Sequence, residues 1–179
     1  MLTLRALNAM PAPEFTTALG AIFEHSPWVA ERAAGQRPFR DQGALHQALC
    51  RQVAQASAAE QEALIRAHPR LGARGGQRSV LTQSSAREQR RAGLDACTDE
   101  EFAELLRLNE QYQARFDFPF ILAVRGHSPD SILAAMRQRL GNDPATERAT
   151  ALEQIYRIAG FRLGDALAPE SDPAAQSAQ

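Results

Sequence analysis

The sequence predicts an all-α fold, built as a single compact domain of about eight or more helices. Apolar residues recur along most of the chain at the three- and four-residue spacing of amphipathic helices. Several of these segments are preceded by a capping box or by an N-cap residue followed by proline. Only one apolar segment, residues 118–124, falls outside the helical pattern, and its periodicity does not distinguish a strand from a buried irregular segment. One such segment does not make a sheet, so no β-sheet is expected.

Four helical patterns precede residue 70. The first has apolar residues at helix spacing, namely Phe15, Leu19, Ile22 and Phe23. Ser26-Pro27 is typical of an N-cap followed by proline at the first helical position. A third helix carries the apolar residues Leu45, Leu49 and Val53. Ser57 and Glu60 form a capping box that opens a fourth helix, and Pro69 ends it because the residue before a proline is disfavoured in the α region.

The second half begins with a predicted loop over residues 70–83, which is rich in Gly and Arg and has little periodicity. Ser85 with Glu88, and Thr98 with Glu101, form two further capping boxes. Two more helices are expected where an N-cap residue precedes proline, at Ser128-Pro129 and Asp143-Pro144. The predicted domain covers residues 1–168. Residues 169–179 contain mainly Ala, Ser, Pro and Gln, which predicts a disordered tail.

Composition excludes several classes of mechanism. All 20 basic residues are Arg, so a lysine Schiff base, lysine-linked pyridoxal phosphate and a P-loop lysine are ruled out. The net charge of −1 argues against a surface devoted to nucleic acid, although a local patch stays possible. Two cysteines without short spacing give no disulfide framework and favour a reducing compartment. No membrane span or signal peptide is evident, so we expect a cytoplasmic protein with no membrane partner.

A few polar residues stand out as candidates for chemistry. His68 ends a predicted helix, where it could cap the last turn or exchange a proton at neutral pH. Ser85, Glu88 and Gln89 could be purely structural, or they could present a helix N-terminus and a carboxylate to a polar ligand. Arg125 could be a surface residue, or it could reach into a pocket floored by Phe120 and Val124 and bind a carboxylate or carbonyl.

No metal site is predicted. His25, His46 and His127 show no metal-ligand spacing, and neither an HExxH nor a GxSxG motif occurs. Cys50 falls beside Leu49 in an amphipathic helix and is expected to be a core residue, not a nucleophile. The arginines between residues 70 and 91 lack interleaved aromatic residues, so they do not favour a nucleic-acid site.

Four sequence pieces occur together and in order, and they cover most of the chain. They are residues 23–31 (FEHSPWVAE), 67–72 (AHPRLG), 85–89 (SAREQ) with 92–94 (AGL), and 108–112 (LNEQY) running into 115–126 (RFDFPFILAVRG). This set resembles the OHCU decarboxylases, which act on 2-oxo-4-hydroxy-4-carboxy-5-ureidoimidazoline in urate catabolism. The resemblance spans roughly residues 5–165. One departure is Asp117, where the family more often carries Gly. Because Asp tolerates left-handed backbone geometry better than most residues, Asp117 is compatible with the resemblance.

The resemblance implies an all-α enzyme that needs no cofactor and makes (S)-allantoin and CO2. It implies that His68 is the catalytic acid and that Glu88 belongs to the catalytic site. The implied substrate-binding residues are Pro69, Ser85, Gln89, Phe120, Ile121, Leu122, Val124 and Arg125. It also makes a homodimer plausible and implies a functional link to hydroxyisourate hydrolase and urate oxidase.

Reaction chemistry is compatible with these residues. Loss of a carboxylate as CO2 needs no amine or metal if the electrons can delocalise into the imidazoline ring. One positioned His can then protonate the resulting carbanion or enolate on one face and so set the stereochemistry of the product. A Glu88 carboxylate hydrogen-bonded to His68 would favour the charged ring.

Two alternatives stay open on sequence grounds. One is a non-enzymatic helical interaction domain that docks a partner on segment 118–124, and the other is a metal-dependent enzyme related to amidohydrolases. Convergence of His68, Glu88 and Arg125 would argue against the interaction domain, and insensitivity to a chelator would argue against the metal enzyme. The tautomer of His68, the oligomeric state and any closure of loop 70–83 over a substrate are also left open.

Overall fold

Helices account for nearly all regular structure in the computed structural model, which describes residues 2–72 and 81–168. This part of the chain contains nine α-helices and one 3-10 helix, and its only β-type pairing is an isolated bridge between Leu2 and Leu167. The predicted all-α class is therefore confirmed. None of the described helices is long and apolar enough to cross a membrane.

The helices follow one another with short connections. Their bounds are α1 Leu4–Ala9, α2 Ala12–Leu19, α3 Trp28–Ala33, the 3-10 helix Ala34–Gln36, α4 Gln42–Ala54, α5 Ala58–Arg66, α6 Gln83–Arg91, α7 Asp99–Phe116, α8 Pro129–Arg139 and α9 Pro144–Ala166.

Local capping sets four helix starts where the sequence predicts them. Ser57 with Glu60 and Thr98 with Glu101 each form a complete capping box, in which each side chain bonds the backbone N–H of the other residue. The Ser128 hydroxyl caps α8, and the Asp143 carboxylate accepts hydrogen bonds from the first N–H groups of α9. These groups satisfy backbone donors that lack a partner within the helix.

Two predicted helix starts need correction. Helix α6 begins at Gln83 and not after Ser85, because Thr82 is extended and its hydroxyl accepts the hydrogen bond from the Ser85 N–H. Ser85 is therefore the third residue of α6, and the predicted loop 70–83 is one residue too long. Ser26 does not cap α3, because its hydroxyl donates to the Glu24 carbonyl.

The apolar periodicity of the first predicted helix also overextends it. Helix α2 ends at Leu19, whereas Ile22 and Phe23 are buried in the turns that follow. The short helix α1 was not predicted. The predictions for residues 73–80 of the loop and for the tail 169–179 lie outside the described residues.

The described chain divides into two compact units. The first contains the residues up to Ala56 and those from Ala159 onward. Its core stacks Phe15 on Phe39, with 6.2 Å between ring centroids, and it buries an ion pair between Glu24 and Arg162 at 2.8 Å. The second unit, Ser57–Ile158, contains α5 to α8 and most of α9. The predicted single domain over residues 1–168 stays a prediction.

Segment 118–124 is neither a helix nor a strand. All of its residues are buried, and the backbone runs between α7 and α8 without a sheet partner. Asp117 precedes it with φ 60° and ψ 23°, so the chain leaves α7 through a left-handed residue. Asp adopts this left-handed geometry more readily than most residues, and the geometry turns the chain from α7 into the buried segment.

Candidate functional site

The residues singled out by sequence all belong to the second unit. His68 and Pro69 follow α5, Ser85 to Gln89 belong to α6, and residues 120–125 follow α7. Three elements that are separate in sequence thus contribute to one compact body.

His68 is buried, with 7% of its surface exposed, and it lies directly after the C-cap of α5. Its Nδ1 is 3.0 Å from the carbonyl oxygen of Leu64. Because a carbonyl oxygen only accepts, Nδ1 must carry the hydrogen in this bond. In the neutral ring the lone pair is then on Nε2. The predicted capping of the last helical turn is observed, and it fixes the orientation and tautomer of the ring.

One face of α6 points into the unit and carries the three polar residues of interest. Ser85 and Gln89, four residues apart, are buried, and Glu88 is half-buried. Residues at this spacing share a helix face. The N–H of Ser85 donates to the Thr82 hydroxyl, so Ser85 is not the N-cap that the sequence suggested.

Gln89 ties α6 to the chain that follows His68. Its amide oxygen accepts the N–H of Gly72 at 3.0 Å, and its amide nitrogen donates to the carbonyl of Arg70 at 3.2 Å. This side chain therefore orients the backbone just after His68 and Pro69. Sequence reasoning predicted Gln89 as a substrate contact and missed this structural bond.

Asn109 of α7 was not predicted as part of the site. Its amide nitrogen donates to the Leu71 carbonyl at 3.0 Å, between the two groups held by Gln89. Among the described residues, its Oδ1 is the buried side-chain atom without a hydrogen-bond partner. The signal in the sequence was a polar residue on the otherwise apolar inner face of α7.

Gly72 allows residues 70–72 to lie against α7. Its φ is +84°, and a Cβ at this position would lie 2.2 Å from a methyl carbon of Leu105. Both the backbone angle and the close contact therefore require glycine. Gln89 of α6 and Asn109 of α7 thus both bond residues 70–72, which we call the post-histidine segment.

Segment 118–124 forms a second buried wall around Tyr112. The Tyr112 ring lies 4.7 Å from Phe116, 5.9 Å from Phe118 and 5.2 Å from Phe120, measured between centroids. Its hydroxyl donates to the Glu147 carboxylate. Burial, and after it this hydrogen bond, raise the pKa of the Tyr112 phenol well above its ordinary value.

Arg125 differs from the residues that precede it. Phe120, Ile121, Leu122 and Val124 are buried, whereas Arg125 lies in an exposed turn with Gly126. The segment thus supplies an apolar wall that ends in an exposed cation.

Other candidate sites lie elsewhere. A surface cavity of about 620 Å³ is lined by the outer face of α6, including Arg87, Arg90 and Arg91, and it contains none of the predicted site residues. Cys50 belongs to the first unit, and burial raises the pKa of its thiol to about 11, which makes it a poor nucleophile at neutral pH. Within the described ranges, no group of three or more His, Cys, Asp or Glu residues could hold a metal ion.

Comparison with known proteins shows which family the chain belongs to. A family model described as OHCU decarboxylase matches residues 8–164. The chain belongs to the OHCU decarboxylase family. Members of this family are carboxy-lyases, so the chain is an enzyme, and the non-enzymatic interaction domain considered from the sequence is not supported.

Individual relatives agree with the assignment. A 2-oxo-4-hydroxy-4-carboxy-5-ureidoimidazoline decarboxylase of Haloferax volcanii is 43% identical over 169 residues, which cover 94% of this chain and 98% of that protein. A uric acid degradation bifunctional protein of Bacillus subtilis is also 43% identical, over 96% of this chain but only 34% of the longer protein. A crystal structure of (S)-allantoin synthase superimposes with a TM-score of 0.73 at 30% identity, covering 93% of this chain and 54% of that one.

Proposed function

We propose that this OHCU decarboxylase converts 2-oxo-4-hydroxy-4-carboxy-5-ureidoimidazoline to (S)-allantoin and CO2 without a cofactor, with His68 as the general acid. The observation that carries the proposal is the bond from His68 Nδ1 to the Leu64 carbonyl. It leaves Nε2 as the proton-transferring atom of a buried, oriented imidazole. The names of the Haloferax relative and of the (S)-allantoin synthase supply the substrate and the product.

In this reaction the bond between the ring carbon and the carboxylate breaks, and CO2 leaves. The electron pair moves into the ring, where the C=N group next to that carbon accepts it. The enol intermediate is then protonated on carbon, and delivery from one face gives one enantiomer. His68 Nε2 supplies this proton, which is a task worth about 10²–10⁴-fold in rate when the acid is positioned.

The inner face of α6 and the apolar wall bind the substrate in this proposal. Ser85, Glu88 and Gln89 offer hydroxyl, carboxylate and amide groups to the ring and ureido groups. Pro69, Phe120, Ile121, Leu122 and Val124 exclude water from the ring, which strengthens the polar contacts. Arg125 attracts the anionic substrate to the edge of the wall.

The product of a coupled reaction tests the role of His68. Urate oxidase and hydroxyisourate hydrolase generate the substrate from urate, and circular dichroism follows the allantoin formed. Wild type should give (S)-allantoin rapidly. His68→Asn, which keeps an amide near the Nδ1 position but has no atom at Nε2, should lower kcat at least about 100-fold. Slow racemic product from both proteins would refute the assignment.

A second variant separates the two ring nitrogens. In His68→Gln an amide reaches the position of Nε2 but does not titrate near neutral pH. It should be as inactive as His68→Asn if a proton is transferred, and partly active if the ring only donates a hydrogen bond.

Glu88 is proposed to favour the charged form of His68. The pH–rate profile of Glu88→Gln should then lose or shift the limb assigned to His68. An unchanged limb with a lower rate would leave Glu88 as a binding residue only.

The absence of a metal from the reaction is tested with a chelator. Because the ring itself accepts the electron pair, neither a metal nor a lysine amine is needed. Extended dialysis against EDTA should leave the rate of (S)-allantoin formation unchanged, whereas a metal-dependent enzyme would lose activity that a divalent cation restores.

The proposed partners are the enzymes that supply the substrate. Hydroxyisourate hydrolase and urate oxidase would act before this protein, in the cytoplasm. The bifunctional Bacillus relative, named for uric acid degradation, supports such a link because a second activity shares its chain. We also propose that the protein is a homodimer. Light scattering would measure its molar mass in solution.

A further inference from the structure

The buried backbone groups of segment 118–124 need hydrogen-bond partners from outside any helix or sheet. Its residues are buried, yet it lies in no helix or sheet, so its backbone groups have no regular hydrogen-bond partners. Buried backbone groups nearly always find a partner. In this segment the Val124 carbonyl accepts the His127 N–H in the following turn, and two further backbone groups are bonded by buried side chains, one from α8 and one from α9.

Arg139 and Gln154 are these two side chains. Arg139, the last residue of α8, donates from Nη1 to the Ile121 carbonyl at 2.6 Å. Gln154 of α9 accepts the N–H of Ala123 at 3.0 Å. Arg139 also lies over the Phe120 ring, with its guanidinium carbon 4.4 Å from the ring centroid. Arg139 thus contacts two consecutive residues of the wall, the Phe120 ring through its guanidinium face and the Ile121 backbone through a hydrogen bond.

Arg139 is itself fixed by a buried carboxylate. Its Nε and Nη2 both donate to Oε1 of Glu147, which is fully buried in the first turn of α9. The same carboxylate accepts the Tyr112 hydroxyl and, at 2.8 Å, the Asn142 amide. We call Tyr112, Arg139 and Glu147 the wall network. Because each polar group in it has a partner, the guanidinium has one defined position.

The geometry points to Arg139 as a positioning residue of the substrate wall, held by Glu147 and Tyr112. This inference rests on the proposed function, in which Phe120, Ile121, Leu122 and Val124 contact the substrate. Arg139 acts through the Ile121 carbonyl and the Phe120 ring and does not itself react. A lysine cannot replace it, since one ammonium group cannot contact the Glu147 carboxylate, the Ile121 carbonyl and a ring face in the same planar arrangement.

Displacing the wall should weaken substrate binding and loosen control of which face is protonated. A misplacement of about 1 Å can cost about 100-fold in rate at a reacting centre. For Arg139→Lys we therefore expect KM to rise about tenfold or more and the enantiomeric excess of (S)-allantoin to fall. The pH limb assigned to His68 should stay in place, because the proton donor is on a different element.

Arg137 provides a matched control on the same helix. It is exposed, and its guanidinium pairs with the Glu104 carboxylate at 3.0 Å. Arg137→Lys should leave KM and the enantiomeric excess at wild-type values. Both variants are compared per folded protein, with folding checked by far-UV circular dichroism.

Tyr112→Phe keeps the test decisive if Arg139→Lys does not fold. It removes only the hydroxyl that donates to Glu147 and keeps the ring among its aromatic neighbours. It should raise KM and lower the enantiomeric excess in the same direction as Arg139→Lys, by a smaller factor.

The outcomes separate this inference from the proposed function. Higher KM and lower enantiomeric excess in the network variants, with Arg137→Lys unchanged, support the positioning role. Lower melting temperature with unchanged KM and enantiomeric excess overturns it and leaves the network as structural support. If wild type forms no (S)-allantoin, the proposed function fails and this inference fails with it.

Discussion

At the scale of single residues, the site depends on buried amides as much as on titratable groups. Gln89 and Asn109 bond three consecutive backbone groups of the post-histidine segment, through Arg70, Leu71 and Gly72. The hydrogen bonds of a buried amide to backbone groups are specific in direction. They therefore fix where the chain goes immediately after His68 and Pro69.

Asn109→Leu tests this amide at the residue scale. The change leaves the Leu71 carbonyl unpaired, which costs about 1–3 kcal/mol, and it also removes a buried oxygen that had no partner. The two effects offset each other, so the free energy of unfolding in urea should change by less than about 1 kcal/mol. We expect kcat/KM to fall about tenfold all the same, because the post-histidine segment is less constrained.

Asn109→Asp is the companion variant. It keeps the side-chain shape but sets a carboxylate against the Leu71 carbonyl, so both stability and kcat/KM should fall. Wild-type kcat/KM in the Leu variant would contradict a positioning role for Asn109.

At the scale of elements, helix starts decide which residues face the site. Helix α6 begins at Gln83, capped by Thr82, and this register places Ser85 and Gln89 on its buried face. Had the helix begun after Ser85, as the sequence pattern suggested, Ser85 would have been an N-cap and not a buried third residue. Of two possible N-caps three residues apart, Thr82 is the one that caps α6.

Thr82→Ala tests the helix start. Loss of an N-cap side chain costs about 1 kcal/mol, and the α6 start should fray. Ser85→Ala, by contrast, keeps the cap and should change stability less while raising KM, because Ser85 is proposed to bind substrate. Urea denaturation of both variants, with KM measured alongside, checks the order of the two effects. A larger stability loss in Ser85→Ala would argue that Ser85 is the cap.

At the scale of the whole molecule, charged groups are buried in both units. Glu24 with Arg162 in the first unit and Glu147 with Arg139 in the second are each nearly inaccessible to solvent. Removing one partner of such a pair leaves an unpaired buried charge and costs about 3–5 kcal/mol. The pairs thus make each unit sensitive to single substitutions at these four positions.

Alkaline unfolding should report on Tyr112. Its raised pKa means that the folded protein favours the neutral phenol. The resulting stabilisation is fully present below the pKa of an unfolded tyrosine, about 10, and is lost as the pH rises above that value. Tyr112→Phe should therefore show a weaker loss of stability than wild type above pH 10, measured by urea denaturation at a series of pH values. An identical pH dependence in both proteins would contradict the assignment.

Cooperative unfolding of the two units is the remaining prediction for the whole chain. Helix α9 supplies residues to both units, and helix formation is cooperative along its length. Trp28, the only tryptophan, lies in the first unit, whereas the candidate site lies in the second. Trp28 fluorescence and enzymatic activity should therefore be lost at the same urea concentration. Separate midpoints would show two independent domains.

The sequence by itself determined the all-α class, four of the nine helix starts in the described residues and the choice of candidate residues. Capping boxes at Ser57 and Thr98 and the proline starts at Ser128 and Asp143 are local signals, because cap and backbone donor lie within three residues. The family motifs, likewise, are short stretches that can be recognised without coordinates.

Only the tertiary structure decided how those stretches meet. The bonds from Asn109 to Leu71, from Gln89 to Gly72 and from Arg139 to Ile121 join residues 38, 17 and 18 positions apart. No periodicity encodes such pairs, since each depends on where the chain returns after a helix. The same reason left segment 118–124 undecided, because a buried irregular segment is stabilised by side chains from other elements and not by its own pattern.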